Sequence, residues 1–149
     1  GVLFEASLQL GGILGGAAAD DVETLGRFGR IVGIAFQLAD DVLDCGPPET
    51  ESILGKRPGA DLRDGTVTLP MLRAATHDER IAPLLARQVR EDEIEPLLER
   101  IRATGALDLA TERAHELRGE ADRLLESLDD RFDVDELARI AGASVDRLS

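Results

Sequence analysis

Ile31-Val32-Gly33-Ile34-Ala35-Phe36-Gln37-Leu38-Ala39-Asp40-Asp41-Val42-Leu43-Asp44 is the stretch on which the fold turns. It does not alternate apolar and polar residues, so it does not read as a strand. On a helix, with Asp40 as origin, Asp44 falls about 40° away, Gln37 about 60°, Asp41 about 100° and Gly33 about 20°. The rest of the circumference is apolar: Ile31, Val32, Ile34, Ala35, Phe36, Leu38, Ala39, Val42 and Leu43. A helix apolar nearly all round belongs in the middle of a helical protein. One narrow strip of it nevertheless carries three carboxylates and an amide, and Gly33 is expected to leave space beside them.

That strip is costly without a counter-charge. Two carboxylates about 5 Å apart repel by roughly 3 kcal/mol at an effective dielectric of about 20. Either protons or cations must relieve three such acids in a half-buried groove. Oxygen-only donors suit hard cations, and magnesium with phosphate oxygens above all. Eleven residues after Asp44 comes Gly55-Lys56-Arg57-Pro58-Gly59-Ala60-Asp61-Leu62-Arg63-Asp64-Gly65-Thr66-Val67-Thr68-Leu69-Pro70. Lys56 is the one lysine among 17 basic residues. A compact cation between glycines suits a loop that closes on a phosphate. The spacing of a P-loop is absent. Asp61 is placed to accept from Lys56 or from metal-bound water.

Outward from this centre, helical spacing recurs along the chain and no strand is expected. The first helix is expected over about 2–19. In it Gly11 and Gly15, and Gly12 and Gly16, share faces that let another backbone approach. Asp20-x-x-Glu23 resembles a capping box and should open the second helix, which runs to about Asp44. The segment 46–65 holds four glycines and three prolines and reads as an irregular loop. Helices resume from Thr66, with Pro70 in a first turn. Asp78 is read as the cap of a short helix ending near Gln88. Further helices are expected at 91–104, stopped by Gly105, at 106–128, and from the cap Asp133-x-x-Glu136 to about Leu148. No linker marks a domain boundary.

The 149 residues carry a net charge of −13, which speaks against a nucleic-acid surface and against an anionic membrane surface. The longest small or apolar run, Leu10–Ala19, is far short of the ~20 residues of a membrane span. One cysteine, Cys45, excludes a disulfide framework and reads as structural. His77 and His115 read as surface residues. The cytoplasm is the default compartment.

The run Gly33–Asp44, with Leu54-Gly55-Lys56-x-x-Gly59-x-Asp61-Leu62, Gly65 and Thr68-Leu69-Pro70, resembles the second aspartate-rich motif of the all-trans polyprenyl (isoprenyl) diphosphate synthases and the loop behind it. The resemblance is specific over about 28–72. It implies an all-α bundle of the isoprenoid synthase type, with about six or seven helices in this chain, and a homodimer. It implies magnesium-assisted ionisation of an allylic prenyl diphosphate and attack on the cation by isopentenyl diphosphate. Asp40, Asp41 and Asp44 would hold magnesium, and Lys56 the allylic diphosphate. Gln37 would face the reacting carbons or the phosphate, and Asp61 would act behind them.

The family's first aspartate-rich motif and its isopentenyl-binding arginines are not in this sequence. The Lys-Thr pair that precedes its Leu-Phe stretch would fall just before Gly1. Residues 1–149 are therefore expected to be the C-terminal half of a single synthase domain, inactive alone. Two other readings stay open: a non-catalytic helical subunit of a heterodimeric synthase, and a terpene cyclase. The Asp-Asp-x-x-Asp pattern argues against the cyclase, whose second metal motif mixes Asn or Asp with Ser or Thr and Glu.

Overall fold

The computed structural model describes residues 1–128 and 132–148, apart from the side chain of Leu54. Among these residues the chain is all helical. Its α-helices are α1 (Val2–Leu14), α2 (Ala19–Asp44), α3 (Glu51–Leu54), α4 (Ala60–Asp64), α5 (Leu69–His77), α6 (Ala82–Leu85), α7 (Glu91–Arg102), α8 (Ala106–Leu125) and α9 (Val134–Val145). Two 3-10 turns, Pro48–Thr50 and Asp146–Leu148, complete the set. Nine described α-helices exceed the expected six or seven because α3, α4 and α6 are single turns. A single turn is too short to show a period.

The chain forms two compact units. The first joins Gly1–Gln37 to Arg113–Arg147. Its core is Phe28, Val32, Ala121, Leu125 and Ala141, with Phe4, Leu8 and Leu137 packed on it. Here α1 lies along α2 through glycines of α2. A methyl group on Gly29 would come within 2.7 Å of the Phe4 carbonyl oxygen, and one on Gly33 within 2.7 Å of the Gly1 Cα. The space beside Gly33 is thus filled by the start of α1, contrary to the expectation that it stays open beside the acids. Of the glycines expected to pack α1, Gly12 meets Leu25 and Val22, whereas Gly11 faces open space. The loop-to-helix entry of α9 is as expected: the Asp133 carboxylate accepts from the Glu136 amide at 3.0 Å.

The second unit is Leu38–Glu112. Its core gathers Cys45, Leu62, Met71, Ala74, Ile81, Val89, Ile94, Leu97, Leu98, Ile101 and Ala106. Pro70 stands in the first turn of α5, as expected. Two caps depart from expectation, the second only in part. Helix α2 already begins at Ala19, so Asp20 lies in its first turn, where its charge complements the helix dipole, and not at its cap. Asp78 ends α5, and the only helix between it and Gln88 is the short α6. The carboxylate of Asp78 does cap the turn before α6, accepting from the Arg80 amide at 3.0 Å, and it also holds the Arg80 guanidinium at 2.8 Å and Arg100 at 2.9 Å.

Candidate active site

In the second unit α2 ends in the acids. Asp40 and Asp41 are half-buried. Asp44, one turn after Asp40 on the same helix, has a side chain only 1% exposed. Its environment is fully engaged. One carboxylate oxygen accepts from the Ala60 amide at 3.2 Å and the other from the Asp61 amide at 3.0 Å. The Gly59 amide donates to the Asp44 carbonyl at 2.8 Å. The Lys56 ammonium stands 3.5 Å from the same carboxylate and is half exposed. Asp44 therefore caps α4 from 16 residues away and tethers the lysine loop with it. The segment expected to be irregular is folded onto the end of α2 by three amides and one ion pair.

Gly59 makes this turn possible. Its φ is +84°, and a methyl group there would sit 2.6 Å from Ile94 Cγ2 on α7. Only glycine meets both conditions without strain. On the far side of α4, Arg63 donates to both oxygens of Glu91, at 3.0 and 3.1 Å, and to the Pro58 carbonyl at 2.9 Å. At the end of α2, Arg102 donates to the Gly46 carbonyl at 3.0 Å and pairs with Glu95 at 2.6 Å. It closes carbonyls that the helix leaves open. Neither of the long-range contacts was legible in the sequence, since Glu91 lies 28 residues from Arg63 and Gly46 lies 56 residues from Arg102.

The electrostatics follow from this crowding. Asp61 titrates above the usual carboxylate range, first through burial and then through the charge of Asp44, with Lys56 pulling the other way. Asp41 adds to the same field. The Cys45 thiol is pushed up to about 12, chiefly by burial and then by Asp44, Asp61 and Asp41. It is a core thiol held neutral and is no nucleophile. His77 and His115 are exposed, as expected.

The structure thus brings Asp44, Lys56 and Asp61 into one cluster, with Asp41 in its field. Gln37 lies in the first unit and is exposed. Its neighbour Phe36 is held there by the Arg147 guanidinium, 4.6 Å from the ring centroid. Carboxylate oxygens are suitable donors for a hard divalent cation. Among the described residues, no group of three or more His, Cys, Asp or Glu side chains is placed to hold a metal ion unaided. Asp40 and Asp41 are half-buried carboxylates on α2, chemically suited to such an ion. No described helix is long and apolar enough to cross a membrane.

Comparison with known proteins gives the same picture. The polyprenyl synthetase family model matches residues 1–101. The chain is 38% identical over 131 residues to octaprenyl diphosphate synthase of Escherichia coli (strain K12), covering 85% of this chain and 39% of that protein. It is 40% identical over 125 residues to heptaprenyl diphosphate synthase component 2 of Geobacillus stearothermophilus, covering 84% of this chain and 37% of that protein. The chain thus spans about two fifths of the length of these relatives. A crystal structure of geranylgeranyl pyrophosphate synthase from Corynebacterium glutamicum, complexed with calcium and isoprenyl diphosphate, superposes with a TM-score of 0.85 at 32% identity. That match covers 100% of this chain and 47% of the other. An all-helical chain with an acid-ended central helix, a lysine loop folded onto it and a family match over two thirds of its length belongs to the polyprenyl synthetase family.

Proposed function

We propose that residues 1–149 are the C-terminal part of a single prenyl synthase domain, which joins isopentenyl diphosphate to an allylic prenyl diphosphate. The observation that carries this reading is the seating of the Lys56 loop against the acid end of α2. A cation on a glycine-flanked loop beside half-buried carboxylates suits a diphosphate that arrives with a divalent metal. The relative crystallised with calcium and isoprenyl diphosphate supports the same ligand chemistry.

Asp40 and Asp41 would hold magnesium together with diphosphate oxygens and with groups outside these 149 residues. Bound magnesium would supply positive charge against the departing diphosphate. Lys56 would bind that diphosphate directly, offering three donors and a full charge. Asp61 stands near enough to feel the Lys56 charge and would orient its ammonium or a bound water. Gln37, one turn before Asp41 on α2, would contact the substrate. Asp44, in this conformation, is committed to the loop and would reach the metal only on releasing Ala60 and Asp61.

The enzyme would act in the cytoplasm on water-soluble diphosphates, as a homodimer. A second reading is favoured by the relative whose name makes it one component of a synthase: the protein would then work beside an unlike subunit. The reading is tested by prenyl transfer in the intact protein with isopentenyl diphosphate, an allylic diphosphate and magnesium. Asp40→Ala and Lys56→Ala should each lower kcat/KM by about 100-fold or more, the order expected for removing a charge that stabilises the leaving group. The 149 residues alone should give no product. Full turnover by Asp40→Ala, or by the isolated 149 residues, overturns the reading.

A further inference from the structure

We propose that Asp44 is a positioning residue and not a metal ligand: it holds the Lys56 loop on the end of α2, and the acids of the motif divide between metal and loop. The inference rests on the functional reading above only for the role of Asp40 and Lys56; the anchoring itself is independent of it.

Three observations carry it. The Asp44 side chain is 1% exposed, so it has no open flank for an ion and its water shell. Both of its oxygens are already taken by backbone donors, Ala60 at 3.2 Å and Asp61 at 3.0 Å. Its remaining acceptor capacity faces Lys56 at 3.5 Å. A carboxylate so bound is costly to free, because two part-buried amides would lose a charged acceptor together. The main chain repeats the tether: the Gly59 amide donates to the Asp44 carbonyl at 2.8 Å. Asp40 and Asp41 differ in being half-buried. The loop is secured from its other side by Arg63 on Glu91, so Asp44 fixes the end that carries Lys56. The consequence is specific. Lys56 is presented to a diphosphate from a loop whose position is set by Asp44, so loss of Asp44 weakens diphosphate binding through the loop and leaves the metal donors in place.

The test compares Asp44→Asn with Asp40→Asn in the intact protein. Asparagine keeps the volume of each side chain, and Lys56→Met removes the ion pair to Asp44 while leaving its carboxylate for the two amides. Amide hydrogen exchange of residues 59–65 is followed without ligand. Magnesium binding is measured by calorimetry in the presence of inorganic pyrophosphate. Asp44→Asn should speed exchange at Ala60 and Asp61 by about tenfold or more, the scale of losing charge-assisted bonds, whereas Asp40→Asn leaves those two amides unchanged and Lys56→Met speeds them by less than Asp44→Asn does. Asp40→Asn should weaken magnesium by about tenfold or more at saturating pyrophosphate, and Asp44→Asn by less than about threefold. Unchanged exchange in Asp44→Asn overturns the anchoring. A loss of magnesium in Asp44→Asn as large as in Asp40→Asn overturns the division of roles. Wild-type protein that binds no magnesium with pyrophosphate sinks the functional reading, while the exchange comparison still decides the anchoring.

Discussion

Gly59 carries two constraints at one atom. Its backbone is left-handed, at φ +84°, and the place where a Cβ would stand is 2.6 Å from Ile94 Cγ2. The first constraint costs a non-glycine residue about 1–2 kcal/mol, and the second forces α4 away from α7. Gly59→Ala should therefore destabilise the protein by about 2–4 kcal/mol, read as a lowered urea midpoint at unchanged slope. Gly59→Asn separates the two effects, since asparagine tolerates the left-handed region. It should be no better than alanine, because Ile94 still obstructs it. An asparagine variant near wild type would show that the approach of Ile94 is unimportant. The glycine itself could be read from the sequence as part of the lysine loop, but its partner could not. Ile94 lies 35 residues on, and nothing local names it. The same holds for Arg102, which closes the carbonyl of Gly46, 56 residues away. Residue types announce chemistry; they do not announce which distant group they will meet.

At the scale of the element, two similar signals had different outcomes. Asp133-x-x-Glu136 opens α9 with its carboxylate on the Glu136 amide. Asp20-x-x-Glu23 opens nothing, because Ala18 and Ala19 precede it. Alanine has the highest helix propensity, and the helix grows back through it until Asp20 lies inside the first turn. Asp133→Ala should cost about 1 kcal/mol, a fall of about 2–4 °C in Tm for a domain of this size. Asp20→Ala should stay within about 0.5 kcal/mol, since it loses only a dipole interaction. Equal losses in a calorimetric scan would refute the distinction. The long helices were legible because their period repeats over several turns, and the central one was legible to its last residue, Asp44. The single turns within 46–65 were not. A four- or five-residue helix has no repeat to detect, and α4 exists because an acid 16 residues earlier caps it. The candidate site was therefore visible as a list of residues, while the geometry that binds Asp44 to Ala60 and Asp61 was not.

For the whole molecule the dominant electrostatic fact is an excess of acids, with a net charge of −13. Lowering the pH has two opposing consequences. Protonation reduces self-repulsion, and it relieves Asp61, whose raised pKa marks a carboxylate that folding makes harder to ionise. A group of that kind costs stability when charged, so stability is gained as the pH falls through its raised value. The exposed ion pairs act the other way. Arg87 holds Glu93 down to about 2 from an ordinary 4.5. Arg80 and Arg100 hold Asp78 well below the usual carboxylate range. A carboxylate whose folded pKa is depressed lends stability that is complete above its unfolded value and is lost as the pH falls toward the folded one. The unfolded chain takes up the protons first. The urea midpoint should therefore hold level or rise slightly as the pH falls toward the ordinary carboxylate range, while Asp61 is relieved. It should then fall steadily between about 4.5 and about 2, as the unfolded forms of Glu93 and Asp78 bind protons that the folded forms refuse. Substituting Glu93→Gln should flatten part of that fall and leave the upper limb unaltered. Raising the salt concentration to about 1 M should shrink the fall further, because the pairs at Glu93 lie at the surface, where a Debye length of about 3 Å screens them. A midpoint that climbs all the way to pH 2, or a Glu93→Gln profile that coincides with the wild type, would mean that relief of the acidic excess outweighs every pair on the surface.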